Sequence, residues 1–160
     1  MIVACGFDHA GYPLRETVFG ALRNAGHEPL DLGTDSPEPG DDYPDYALAV
    51  ARAIGGGEAE RGILCCGSGA GVAVAATKVP GIRAVTTEDT YTAHQSVEHD
   101  DVNVLALGAR VIGVEVAAEL VRAFAGAEFT GEERHVRRLA KVAAIERDGL
   151  EAKLDDAKEG

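Results

Sequence analysis

The run Gly62-Ile-Leu-Cys-Cys-Gly-Ser-Gly-Ala-Gly71 holds the densest chemistry in this chain. A short apolar strand ends at Cys66, and Gly67, Gly69 and Gly71 let successive backbone N–H groups converge on one small space. Opening a helix, such a nest favours negative charge, and the same field stabilises a thiolate beside it. Cys66 is therefore a candidate base. The plainer alternative is a small core cysteine next to glycines that only permit a tight turn. Side-chain alternation turns Cys65 toward the core, and Cys5 near the end of the first strand reads as packing.

Two familiar motifs fit this loop poorly. A dinucleotide fingerprint needs GxGxxG after the first strand, whereas GSGAGV follows the third and misplaces its last glycine, although Glu88 could mimic the downstream acid. A cysteine phosphatase loop needs an arginine six residues after its nucleophile, and that position is Val72.

Other reactive types gather nearby in the sequence order. Asp8-His9-Ala10-Gly11 leaves the first strand at the edge where Cys66 emerges, so its carboxylate and imidazole are placed to handle protons or a polar substrate. A helix-capping role is the equal alternative for Asp8. His99 precedes the fifth strand near a helix end, where it could equally be a surface residue. His27 and His94 read as bystanders, and no histidine is expected to share i, i+4 spacing with a second ligand type, which argues against a structural metal site. Arg134 and Arg138 share one helix face, a spacing that grips a phosphate with two guanidinium forks, and Arg110 follows the fifth strand. A solvated face paired to Glu132 and Glu133 is the competing reading of the arginines.

The elements that must position these groups alternate. Strands are expected at residues 2–7, 28–31, 61–65, 82–86 and 103–107, and helices at 11–25, 43–54, 88–98, 114–124 and 132–153, with a glycine-rich turn at 67–71 opening a further helix that ends near 78. A Pro/Asp/Gly-rich loop fills 33–42. The alternation implies an α/β three-layer sandwich, a Rossmann-like five-stranded parallel sheet with an extra C-terminal helix and ligands at the strands' carboxyl ends. One domain over 1–160 is expected. The last helix, with Val136, Leu139, Val142, Ile145 and Leu150 among its apolar residues, either packs on its own domain or reaches a partner subunit.

Charge narrows the partners. Fifteen basic and 27 acidic residues among 160 give a net charge of −12, which repels phosphate backbones and anionic lipid. Nucleic acid and membrane are thus not expected partners, and no run approaches the roughly 20 apolar residues of a membrane span. The N-terminus lacks a signal-peptide pattern, and three cysteines with no CxxC suit a reduced, cytoplasmic setting.

The DHAG segment, the Asp42-Tyr43-Pro44 turn, GILCCGSGAGVAVAATKVPGIRA, EHDDVNVLALGAR and RHVRR fall in one order over residues 2–147, and together they resemble the ribose-5-phosphate isomerase type B family, with its galactose-6-phosphate and allose-6-phosphate relatives. The resemblance implies an aldose–ketose isomerase working through a cis-enediolate, without metal or organic cofactor. It assigns Cys66 as the base between C1 and C2, Asp8 and His99 to ring opening, and Ser68 (often Thr in relatives) to proton movement at the oxygens. The amides of Gly67, Ser68, Gly69, Ala70 and Gly71 would hold the enediolate oxygen. His9, Arg110, Arg134 and Arg138 would hold the phosphate, with Tyr43 and Asn103 lining the sugar site. The site would be shared across a homodimer or tetramer, His99 and Asn103 coming from the other subunit. One branch of the family uses a Glu where Val72 stands here, which places this chain in the cysteine branch, and Thr77 replaces a usual Asn.

Ribose 5-phosphate is the expected substrate. Allose 6-phosphate, galactose 6-phosphate or a tetrose phosphate would satisfy the same motifs. A non-catalytic nucleotide- or sugar-phosphate-binding module stays open as well, as does a thiol redox protein, for which adjacent cysteines are wrongly spaced.

Overall fold

Three segments carry apolar or small residues at nearly every position, as strands covered on both faces must. They are β1 (Ile2–Phe7), β3 (Arg61–Cys66) and β5 (Val104–Gly108). In the computed structural model, which describes residues 1–154, they form the centre of a five-stranded sheet. The shorter β2 (Glu28–Asp31) and β4 (Ala84–Thr86) take the edges, giving the order β2-β1-β3-β5-β4 with every pairing parallel. The helices are α1 (Arg15–Asn24), α2 (Tyr43–Gly55), α3 (Ala70–Ala76), α4 (Thr90–Asp100), α5 (Val114–Ala125) and α6 (Glu133–Asp148). The expected α/β Rossmann-like sandwich is the observed fold; of the expected 1–160 domain, residues 155–160 lie outside the described residues.

The two-residue period of the strands sorts the core into two layers. Val3, Cys5, Phe7, Ile63, Cys65, Leu105 and Leu107 point to one face, against α1, α4 and α5. Ala4, Leu64, Cys66, Val104 and Ala106 point to the other, against α2 and α3. β1 is followed by β2 on one side, whereas β3 leads by way of α3 to β4 on the other. The loops after β1 and β3 therefore part, opening the crevice that parallel sheets form where the strand order reverses.

Several element ends differ from the sequence expectation. The helix expected from residue 11 begins as a 3₁₀ turn at Tyr12–Leu14, because Asp8 holds the amides of Gly11 and Tyr12 in a tighter turn. Expected from residue 88, α4 starts two residues later, since the Asp89 carboxylate caps it by accepting from the Thr92 N–H at 2.7 Å. The fourth strand is two residues shorter than expected. α6 stops at Asp148, where Gly149 takes a φ of +58°.

Candidate active site

The crevice is a cleft of about 390 Å³ lined by the ends of three strands and the start of α2. Asp8, His9 and Ala10 follow β1, Cys66, Gly67, Ser68 and Gly71 belong to the end of β3 and its loop, and Arg110 and Val111 follow β5. Tyr43 closes it from the first residue of α2.

Cys66 is almost fully buried, yet its sulfur is held at the cleft by a hydrogen bond from the Gly69 N–H, at 3.1 Å. That bond depends on the loop's backbone. Gly69 adopts φ +80°, which favours glycine, and Gly108 lies so close under Ser68 that a Cβ there would sit 2.6 Å from its carbonyl carbon. The Ala70 N–H is turned to Ser68 Oγ at 3.3 Å, and Gly67 O accepts from the Arg110 N–H at 3.0 Å. Of the expected oxyanion donors, the Gly69 and Ala70 amides are thus engaged within the loop. The amides of Gly67, Ser68 and Gly71 have no protein acceptor among the described residues. Burial pushes the Cys65 thiol well above its ordinary range, with Cys5, Cys66 and Asp8 adding to the rise. Burial, with Asp31 adding, does the same for Cys5. Both face the opposite layer, so Cys66 alone of the three thiols reaches the cleft.

Asp8 is buried, and its Oδ1 accepts from the Gly11 N–H at 2.7 Å. It closes the Asp8–Gly11 turn and lines the cleft, while the following 3₁₀ turn, with Gly11 at its N-cap, has no side-chain cap. The guanidinium of Arg110 lies over Gly67 and has no carboxylate within ion-pair distance among the described residues, an unneutralised cation in a protein of net charge −12. The Tyr43 ring packs where a Cβ on Gly71 would otherwise sit, 3.0–3.2 Å away.

Four expected site residues lie elsewhere in the chain. The register pairs Cys66 with Gly108 and Gly62 with Val104, so Asn103 sits at the opposite sheet edge, about 16 Å along the strand at 3.3 Å per residue. There its side chain joins the chain to itself, accepting from the Arg83 N–H at 2.8 Å and donating to Gly81 O at 2.8 Å. His99, at the end of α4, bonds Gln95 at 2.6 Å and stacks on His135 with ring centroids 4.1 Å apart. Arg134 pairs with Glu132 at 2.8 Å, and Arg138 borders a separate cleft with Arg83 and Asp100.

Sequence reasoning missed Asp41, and it placed His135 in a cationic cluster at the start of the last helix without foreseeing its burial. Asp41, in the loop before α2, accepts from the His9 N–H at 3.0 Å, binds His9 Nδ1 at 2.5 Å and accepts from Tyr46 Oη–H at 2.9 Å. His135 is buried, and neither of its ring nitrogens has a hydrogen-bond partner. One expectation is corrected: His94 does have an i, i+4 partner, its Nε2 lying 3.2 Å from Glu98 Oε1 on the α4 surface. Among the described residues no group of three or more His, Cys, Asp or Glu side chains could hold a metal ion, and no helix is long and apolar enough to cross a membrane.

The family model described as Ribose/Galactose Isomerase matches residues 3–142. The chain is 46% identical over 144 residues to ribose-5-phosphate isomerase B of Escherichia coli (strain K12), covering 90% of this chain and 95% of that protein. It is 42% identical over 129 residues to the D-erythrulose-4-phosphate isomerase of Pectobacterium atrosepticum, covering 81% and 85%. The structure of Trypanosoma brucei type B ribose 5-phosphate isomerase superposes with a TM-score of 0.86 at 47% identity, over 90% of this chain and 97% of that one.

Proposed function

From the premise that the chain belongs to the Ribose/Galactose Isomerase family, and is an aldose–ketose isomerase of sugar phosphates, we propose that it interconverts ribose 5-phosphate and ribulose 5-phosphate with Cys66 as base. One observation carries the assignment of the base: the Cys66 sulfur stands at the cleft on a main-chain N–H at 3.1 Å, while the other two thiols are buried in the opposite layer.

In the proposed reaction the ring first opens, Asp8 and His99 moving the proton between the ring oxygen and the anomeric hydroxyl. The Cys66 thiolate then takes the proton from C2 of the open aldose. The C2–H electron pair forms the C1–C2 double bond, and the carbonyl π pair moves to O1, giving a cis-enediolate once the O2 proton shifts. The unengaged amides of Gly67, Ser68 and Gly71, residues that line the cleft, would supply donors to that negative oxygen. Ser68 carries the proton between O2 and O1, and Cys66 returns its proton to C1, leaving the ketone at C2. No electron or atom is gained or lost. His9 and Arg110 hold the phosphate at the far end of the sugar, an interaction that orients the reacting carbons from a distance.

The remaining components come, on this reading, from a second copy of the chain. His99, Asn103, Arg134 and Arg138 lie away from their own cleft, and α6 leaves Val136, Val142 and Ile145 about half exposed. A homodimer acting in the cytoplasm, with each cleft completed by its partner, accounts for both facts. Assaying four-, five- and six-carbon aldose phosphates for ketose formation tests the reading. Ribose 5-phosphate is expected to give the highest kcat/KM, and Cys66→Ala is expected to abolish turnover while the substrate still binds. A preference for a tetrose or hexose phosphate overturns the substrate, and an active Cys66→Ala variant overturns the base.

A further inference from the structure

The loop over residues 33–42 lies outside every strand and helix, yet it delivers one carboxylate into the wall of the cleft. Asp41 takes three donors at once: the His9 main-chain N–H, the His9 ring through Nδ1, and the Tyr46 hydroxyl from the first turn of α2. Two of the three belong to a single residue, so both the backbone and the ring of His9 are fixed by one group. An isolated surface pair of this kind would be loose, but here both side chains are three-quarters or more covered.

We infer that Asp41 is a positioning residue that keeps the His9 proton on Nδ1 and presents Nε2 to the phosphate end of the substrate. The inference rests on the sugar-phosphate reading of the cleft. Burial alone would raise the Asp41 carboxyl, but the hydrogen bonds from His9 and Tyr46 outweigh it and hold the group below its usual range. An ionised carboxylate only accepts, so the nitrogen 2.5 Å from it must carry hydrogen. Nε2 has no protein partner among the described residues, and His9 lines the cleft. A second proton taken up by the ring therefore goes to Nε2, the nitrogen not tied to Asp41, with the Asp41 charge beside the imidazolium. The titratable and charged groups around the ring are Asp41 and Tyr46 behind it, Asp8 on its own segment, and Tyr43, Cys66 and Arg110 across the cleft. Asp41 supplies the negative counter-charge that lets a histidine join Arg110 in gripping a dianion.

Proton–nitrogen correlation spectra of the histidine rings test this, with the His9 signals identified by their loss in His9→Asn. Unliganded wild-type protein at about pH 8 should show His9 protonated on Nδ1, and inorganic phosphate should add a second proton at Nε2. In Asp41→Asn the KM for ribose 5-phosphate and the inhibition constant of inorganic phosphate should rise together by about tenfold, with kcat changed less than about threefold. Tyr46→Phe should shift both in the same direction by a smaller factor. A wild-type His9 ring that is neutral with its proton on Nε2 overturns the inference, and that measurement does not depend on whether a variant folds. So does an Asp41→Asn protein whose KM and phosphate inhibition match wild type. Absence of turnover on every sugar phosphate sinks the functional reading instead, while the unliganded ring spectrum still decides the role of Asp41.

Discussion

Replacing Gly108 by alanine probes the geometry on which the proposed base depends. Gly108 ends β5 with a φ any residue tolerates, so the substitution meets no backbone strain there, only a neighbour. A methyl group at this position would stand 2.6 Å from the carbonyl carbon of Ser68, 2.7 Å from its oxygen and 2.9 Å from its Cα. All three are main-chain atoms and cannot swing aside as a long side chain would. Restoring ordinary contact at 3.4 Å moves the Ser68 segment by 3.4 − 2.6 = 0.8 Å. A shift of that size loosens the 3.1 Å bond from Gly69 to Cys66 and displaces the free amides of Gly67 and Ser68. Misplacing catalytic groups by about 1 Å costs on the order of 100-fold in rate. Overpacking of this kind costs about 1–3 kcal/mol of stability, seen as a lower Tm. Turnover of ribose 5-phosphate and thermal unfolding measured on one preparation read both effects. Gly20→Ala, which meets nothing within 4 Å inside α1, is the control, expected to gain up to about 1 kcal/mol with activity unchanged. A Gly108→Ala enzyme with wild-type kcat would show that the position of the loop is not tied to turnover.

Cys66→Ser keeps a small group that can accept from Gly69 but does not ionise near neutral pH, so kcat should fall by about 10²–10⁴-fold; Cys65→Ser, on the other face, should lower Tm and spare kcat, and equal losses in the two variants would refute the distinction. Mixing Cys66→Ala and His99→Ala chains and letting them reassociate should restore about a quarter of wild-type activity, since random pairing makes half the dimers mixed and one of their two sites intact. A mixture as inactive as its parents would place both residues in one chain's site. Burial, aided by His99 and Arg134, lowers the pKa of His135, so the folded state binds fewer protons than the unfolded one. Stability in urea should therefore decline as pH falls below about 6.5, the ordinary histidine value, and the decline should shrink in His135→Gln. An unchanged pH slope in that variant would show that the ring is not the group responsible.

What was legible in the sequence is what obeys a local period or a fixed loop chemistry. The opposite orientations of Cys65 and Cys66 follow from the two-residue repeat of a strand, and the termination of α1 follows from Gly26, which adopts φ +80°. The meeting of Asp8 with Cys66 was also within reach, because parallel strands separated by a crossover helix deliver their carboxyl ends to one edge. Asp41 was not legible. It stands 32 residues from His9 in a segment with no periodicity, among other acids such as Asp35, Asp42 and Asp45, and nothing in its spacing marks it. His99 and Asn103 were expected from another subunit, and the fold holds both away from their own cleft: Asn103 by strand register and His99 at the end of α4. A carboxylate and a thiol that line one cleft, and an imidazole that the same fold holds away from them, are what the proposed shared site requires: the edge bearing His99 would then lie against another molecule's cleft. The stacked imidazoles fit that arrangement. His135 is covered with no hydrogen-bond partner for either ring nitrogen, its Nε2 lying 3.9 Å from a Glu132 carboxylate oxygen. On the proposal that His99 completes a neighbouring cleft, the His135 ring, stacked face to face on it, would restrict its tilt.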